Sequence, residues 1–348
     1  MKSRLSMMTV LWVASAILSP LPAQVHAEPH TASKSEERFR YEPTRLSLVR
    51  PSVRGKTPVV FVHGLWASPS YWRRMIEALA ADPAIDGRIQ FWAFGYSTGN
   101  PIPYSAYLLR RDLDEVRRRL DPGRTDPAFD RMVLVGHSMG GLLSKMVAVD
   151  SGDRLWRVVS DRPVGELTGH QEDIGLVRDS LIFRAHPRVR RVIYIATPHR
   201  GSRLDQGSVR AIGTRLFVLP DALRALHHRL VAGNPPEFFR EPFRTGLPSS
   251  IDELGWGSPM LTSLSELAHP SALKVHSIIA IRSGTPPGHR TDGLVSYESA
   301  HLTGATSEKL VAAGHLCLDR PEVISEVRRI LLEHAVDPEP PGRPITLR

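Results

Sequence analysis

Six short apolar runs, each closed by glycine, restrict this chain more than any other feature. They are Val59–Val62 within TPVVFVHGLW, and the runs in RIQFWAFGY, RMVLVGHS, RVRRVIYIATPHRGS, KVHSIIAIRSG and EKLVAAGH. A strand with one wet face alternates apolar and polar residues. These runs are apolar on both faces, which suits strands buried between two layers of helix. Helical patterns stand between them. From Tyr104 to Leu120, Leu109, Leu113, Val116 and Leu120 recur at three- and four-residue steps before Asp121-Pro122-Gly123 stops the helix. Near the end, Pro321 opens a helix striped by Val323, Ile324, Val327, Ile330 and Leu331. Alternating strand and helix signals predict an α/β fold with a mostly parallel, doubly wound sheet.

Two stretches break that rhythm, about 151–187 and 202–272, rich in Gly, Pro, Arg and His with helical pieces such as LFVLPDALRALHHRL. They read as helical cap or lid insertions, or equally as packing insertions with no gating role. Residues 56–335 form the folded domain in this reading. Residues 1–27 have a basic start, an apolar middle and a small-residue end at Val25-His26-Ala27, the pattern of a signal peptide cleaved after Ala27. An uncleaved anchor is the alternative. The expectation is an exported protein, periplasmic or secreted. Residues 28–55 read as a polar, flexible leader and 336–348 as a Pro-rich tail.

The formal charge is +9, and removing Lys2 and Arg4 with the signal lowers it by two. Such a balance suits peripheral contact with anionic envelope surfaces. Arginines scattered over helical faces, without a recognition motif, argue against nucleic acid as a partner. Cys317 is the only cysteine, so no intrachain disulfide is possible; it reads as a small buried apolar residue. No metal-ligand spacing and no phosphate-binding Gly-Lys-Ser/Thr follows the glycines, so no metal or cofactor is expected.

The stretch RMVLVGHSMGGLLSKMVAV sets Ser138 between the run Met132–Val135 and a helical stripe of Leu142, Leu143, Met146 and Val147. Gly-x-Ser-x-Gly alone arises by chance in roughly one chain in ten of this length. A tight strand-to-helix turn, however, needs glycine beside the serine and lifts its hydroxyl toward the free N–H groups of the new helix. A serine hydroxyl is a poor nucleophile and needs a base and an orienting carboxylate. His315, after the last strand-like run, is the base candidate, with His301 its rival. Asp292 in the loop after KVHSIIAI is the acid candidate, although Asp-Gly is also a common turn dipeptide; Glu298 and Asp252 are the alternatives. In FVHGLW, Gly64 permits close approach, the Leu65 and Met139 N–H groups are candidate oxyanion donors, and His63 braces the loop.

Taken in order from about residue 57 to 335, VVFVHGLW, VLVGHSMGG, IATPHRGS, TDGLVSYESAHL and VAAGH…PEVISEVRRIL resemble the α/β-hydrolase superfamily, in particular its bacterial lipase- and esterase-like members. The resemblance implies an α/β-hydrolase fold with Ser138 as nucleophile, His315 as general base and acid, and Asp292 as its orienter. It implies an oxyanion hole at Leu65 and Met139, and substrate contacts from His63, Gly64, Trp66, His137 and His199. The implied activity is a serine hydrolase that cleaves small-molecule or lipid esters through an acyl-enzyme, with no cofactor. An acyltransferase, lactonase or amidase with the same residues is one alternative, and a non-catalytic envelope-binding protein another. The oxyanion segment is His-Gly-Leu, not the His-Gly-Gly-Gly of some lipases.

Overall fold

The structure, a computed structural model, describes residues 46–202, 219–285 and 289–337. Seven strands form one sheet: β1 (Leu46–Leu48), β2 (Thr57–Val62), β3 (Ile89–Phe94), β4 (Met132–His137), β5 (Val189–Ile195), β6 (Lys274–Ile281) and β7 (Ser307–Ala312). Their spatial order is β1-β3-β2-β4-β5-β6-β7. β1 runs antiparallel to β3, and every other neighbouring pair is parallel.

Every position of β2, β3 and β4 is buried, as the two-sided apolar runs require. Val60 and Val62 of β2 face one core with α2 (Ile102–Leu120) and α3 (Met139–Ala148). Val59 and Phe61 face the other, with α1 (Arg73–Ala80) and α7 (Pro321–Val336). Full burial of each such side chain contributes about 1.5–3 kcal/mol, so a two-faced strand is held from both sides. In α2 the stripe Leu109, Leu113 and Val116 is buried, whereas Leu120 at its end is exposed. Cys317 is buried in the α1/α7 core, packed as a small apolar residue.

Two sequence readings are corrected. β1 lies inside the stretch assigned to the leader: Leu46 is buried opposite Phe94, and the Val49 N–H donates to the Phe91 carbonyl. The free edge of β3 recruits it, which its own three residues do not announce. β7 is an edge strand instead of a doubly covered one, with Glu308, Lys309 and Leu310 exposed and Val311 buried. Charged side chains on an edge discourage pairing with other chains. The signal segment, leader residues 28–45 and tail residues 338–348 lie outside the described residues. Among the described residues no helix is long and apolar enough to cross a membrane.

The insertions are helical. The first carries α4 (Gln171–Leu181); the described part of the second carries α5 (Asp221–Ala232), the single turn Ser250–Glu253 and α6 (Pro259–Glu266). Together with the start of α2 they line an apolar cleft, partly open to solvent, walled by Tyr104, Leu176, Leu226, Phe239 and Phe243 among others. One carboxyl reaches this wall. Glu253 is buried, accepts the Ile102 N–H at 2.6 Å, and is pushed by burial up to about 8. The folded protein therefore keeps the proton between about pH 5 and 8 while the unfolded chain releases it. Stability should fall across that window, by up to about 1.4 kcal/mol per pH unit. Glu253→Gln retains an acceptor for Ile102 and should flatten the slope; urea denaturation at pH 5, 6.5 and 8 measures it, and an unchanged slope refutes the assignment.

Candidate active site

The strands that matter here are parallel, so the residues following β2, β4, β6 and β7 emerge at one edge of the sheet. Ser138 follows β4 with φ 54° and ψ −126°, a left-handed conformation that a residue with a Cβ rarely adopts. Its N–H donates to the Ile195 carbonyl at 2.9 Å, which fixes the turn to β5. Glycine makes the turn possible: a Cβ on Gly140 would lie 2.1 Å from the Val62 carbonyl oxygen, so α3 can start against β2 only without one. A Cβ on Gly64 would lie 2.9 Å from that of Ser138. The loop after β2 thus touches the serine. Leu65 follows Gly64 and Met139 follows Ser138, so their amides lie on the two segments that meet there, and that of Met139 is the first N–H of α3.

Three residues distant in sequence form one hydrogen-bonded row. His315 Nε2 lies 2.9 Å from Ser138 Oγ, and His315 Nδ1 lies 2.7 Å from Asp292 Oδ2. The other carboxylate oxygen, Oδ1, accepts the N–H groups of Leu294 at 2.8 Å and Val295 at 2.7 Å. The His315 N–H also donates to the Asp292 carbonyl at 3.1 Å. Because Asp292 is acceptor-only, Nδ1 of His315 carries a proton and Nε2 is free to receive one from Ser138. Burial pushes the Asp292 carboxyl up, but His315 and the two backbone N–H groups outweigh it and hold the group below the usual carboxylate range. The Asp292-Gly293 dipeptide is a turn as well as a site. The rivals of both residues are occupied elsewhere: that of His315, His301, with Glu308, and those of Asp292, Asp252 capping Ser249 and Glu298 with Ser296.

Three of the residues expected to contact substrate, His63, His137 and His199, are 1%, 2% and 1% exposed, and their rings are packed within protein. His63 donates from Nδ1 to the Gly64 carbonyl at 3.0 Å and stacks on Tyr96 at 4.4 Å, while the Tyr96 hydroxyl donates to the His63 carbonyl at 2.7 Å. Burial lowers its pKa to about 4, which keeps the ring neutral as it braces the loop. His199 packs against the Tyr194 ring at 4.7 Å, and its backbone N–H donates to the Ser299 carbonyl. Gly64 lies beside Ser138, and the half-buried Trp66 follows it on the β2 loop. Tyr96 and the amides of Leu294 and Val295 escaped the sequence reading. A tyrosine two residues beyond β3, at the same sheet edge as His63, was the available signal for the first. Among the described residues, no group of three or more His, Cys, Asp or Glu could hold a metal ion.

A model of the alpha/beta hydrolase family matches residues 59–327, which span the elbow, Asp292 and His315. The chain belongs to the alpha/beta hydrolase family. This hydrolase is similar in structure to the mature form of Bacillus licheniformis lipase BlEst2, at 17% identity and TM-score 0.48, with 84% of this chain and 99% of that chain covered. It is also similar to EstA from Clostridium botulinum, at 12% identity and TM-score 0.48, covering 89% of this chain and 96% of that one. In sequence it is 26% identical over 117 residues to the (Lyso)-N-acylphosphatidylethanolamine lipase of Bos taurus, 34% of this chain and 33% of that protein. The match thus spans about a third of the length of that curated relative.

Proposed function

We propose that this hydrolase cleaves carboxylic esters through an acyl-enzyme on Ser138. The row Ser138–His315–Asp292, with each bond below 3 Å, is the single observation that carries this. Ser138 Oγ attacks the ester carbonyl while its proton passes to His315 Nε2, and the carboxylate of Asp292 stabilises the imidazolium. The oxyanion accepts the N–H groups of Leu65 and Met139, and one donor of this kind supplies about 3–4 kcal/mol of transition-state stabilisation. The alcohol leaves with the proton from His315. Water, deprotonated by the same ring, then releases the acid.

Support for an apolar acyl group comes from Trp66 on the β2 loop and from the lipase named among its relatives. Export belongs to the same proposal, supported by the three-part pattern of residues 1–27, and the basic balance supports contact with anionic envelope surfaces. A fluorophosphonate should label Ser138 stoichiometrically in the folded protein, and p-nitrophenyl esters of graded chain length should be turned over, medium chains faster than acetate. Labelling at another residue, or labelling without ester turnover, overturns the proposal. Butanol added to the assay distinguishes hydrolysis from acyl transfer by whether acid or butyl ester accumulates.

A further inference from the structure

His137 ends β4 immediately before Ser138, yet its ring reaches toward neither solvent nor substrate. Its Nε2 lies 3.0 Å from the carbonyl oxygen of His315. A carbonyl only accepts, so Nε2 carries the proton and Nδ1 is bare. The ring packs against the imidazole of His315 at 5.0 Å, with Tyr71 at 5.7 Å and Trp72 at 6.5 Å on its other sides. A Cβ on Gly64 would lie 3.2 Å from Nδ1, so the β2 loop closes the remaining side. His137 is therefore wedged, with one hydrogen bond to give and one fixed place to give it.

We infer that His137 is a positioning residue, which ties the backbone of His315 to the serine turn so that the His315 ring stays on the Ser138 hydroxyl; this rests on the reading of Ser138 as nucleophile. The remaining backbone bonds of His315 are local or lead elsewhere. Its N–H goes to the Asp292 carbonyl, and its carbonyl also accepts the Cys317 N–H at 3.0 Å, two residues on. His137 makes the bond that ties the His315 backbone, on the β7 loop, to the β4 turn. Without it, Asp292, on the loop after β6, still orients the ring, but the β7 loop is held to the serine turn only through the ring's own contact with the Ser138 hydroxyl. A neutral ring also matters beside a group that becomes cationic in turnover. The titratable groups around His137 are His315, Asp292, His63 and Tyr71; burial first, and His315 second, lower its pKa to about 3.

The test compares His137→Leu, which fills the space without a donor, with His137→Gln, whose amide can donate to the same carbonyl. His137→Leu should lose about 10- to 100-fold in kcat, the scale of a misplaced catalytic group, with KM changed less than about twofold. His137→Gln should restore most of that loss at an equal melting temperature. Equal rates for the two variants, or wild-type kcat in His137→Leu, overturn the inference. If neither variant folds, nitrogen NMR of wild-type protein labelled in histidine decides. A neutral His137 with Nε2–H and bare Nδ1 from pH 5 to 8 supports it, and an Nδ1–H tautomer or a charged ring refutes it. Normal fluorophosphonate labelling of wild type with an unaffected His137→Leu rate sinks this inference alone. Failed labelling of wild type sinks the nucleophile reading, and this one with it.

Discussion

Ser138→Ala is expected to lower kcat for p-nitrophenyl esters by about 10⁶-fold while leaving the protein folded. Alanine removes the only atom that can form the acyl-enzyme, and a nucleophile and its base act as a unit, so the loss is close to that of removing the whole row. The fold has little stake in the hydroxyl. It makes no cap bond to α3 and bonds His315 instead. The strained φ of 54° is imposed by the turn and is as awkward for alanine as for serine, so the melting temperature should stay within a few degrees. The remaining rate would come from binding and the oxyanion donors, which leave about 10³–10⁴ over water. Steady-state kinetics on protein free of wild-type carry-over measures this, with circular dichroism as the check on folding. Activity above about 1% of wild type would remove Ser138 from the chemistry.

Much of this arrangement is legible in the sequence because burial dictates residue type. Val59–Val62 and Met132–Val135 had to be central strands, since nothing else hides apolar side chains on both faces over so short a run. Parallel strands then bring their following residues to one edge, which is why Ser138, Asp292 and His315 could be picked by position among many serines, acids and histidines. β1 was not legible: three alternating residues in a polar stretch become a strand only because β3 has a free edge. The packing of the histidine rings was not legible for a different reason. Residue type at a loop says nothing of which way a ring turns, and Tyr96, Trp72 and Tyr194 decide that for His63, His137 and His199. How a ring beside Ser138 is held is known only once its neighbours are.

Asp292→Asn should cost about 10⁴-fold in kcat although it changes one atom, and the reason is the pattern of donors around the side chain. Oδ1 of Asp292 accepts two backbone N–H groups and Oδ2 accepts the His315 ring N–H. An asparagine has one acceptor oxygen. Turned away from Leu294 and Val295, its NH₂ would face two donors in a buried place, so the oxygen is held there and the NH₂ is directed at His315. Nδ1 of His315 must then accept, which moves the ring proton to Nε2, opposite the Ser138 hydroxyl. The base is occupied before it can act, and the charge that would stabilise its imidazolium is gone. Stability should follow a separate course. A carboxylate held below its ordinary range contributes stability above the unfolded value near pH 4 and loses it as pH falls through the lower folded value. The gap in melting temperature between wild type and Asp292→Asn should therefore be widest near neutrality and close in acid, while the kinetic deficit persists at neutral pH. Kinetics and thermal melts from pH 3 to 8 separate the two. A variant within tenfold of wild-type kcat at pH 7 would mean that His315 takes its orientation from another group, and the role given to Asp292 would fall.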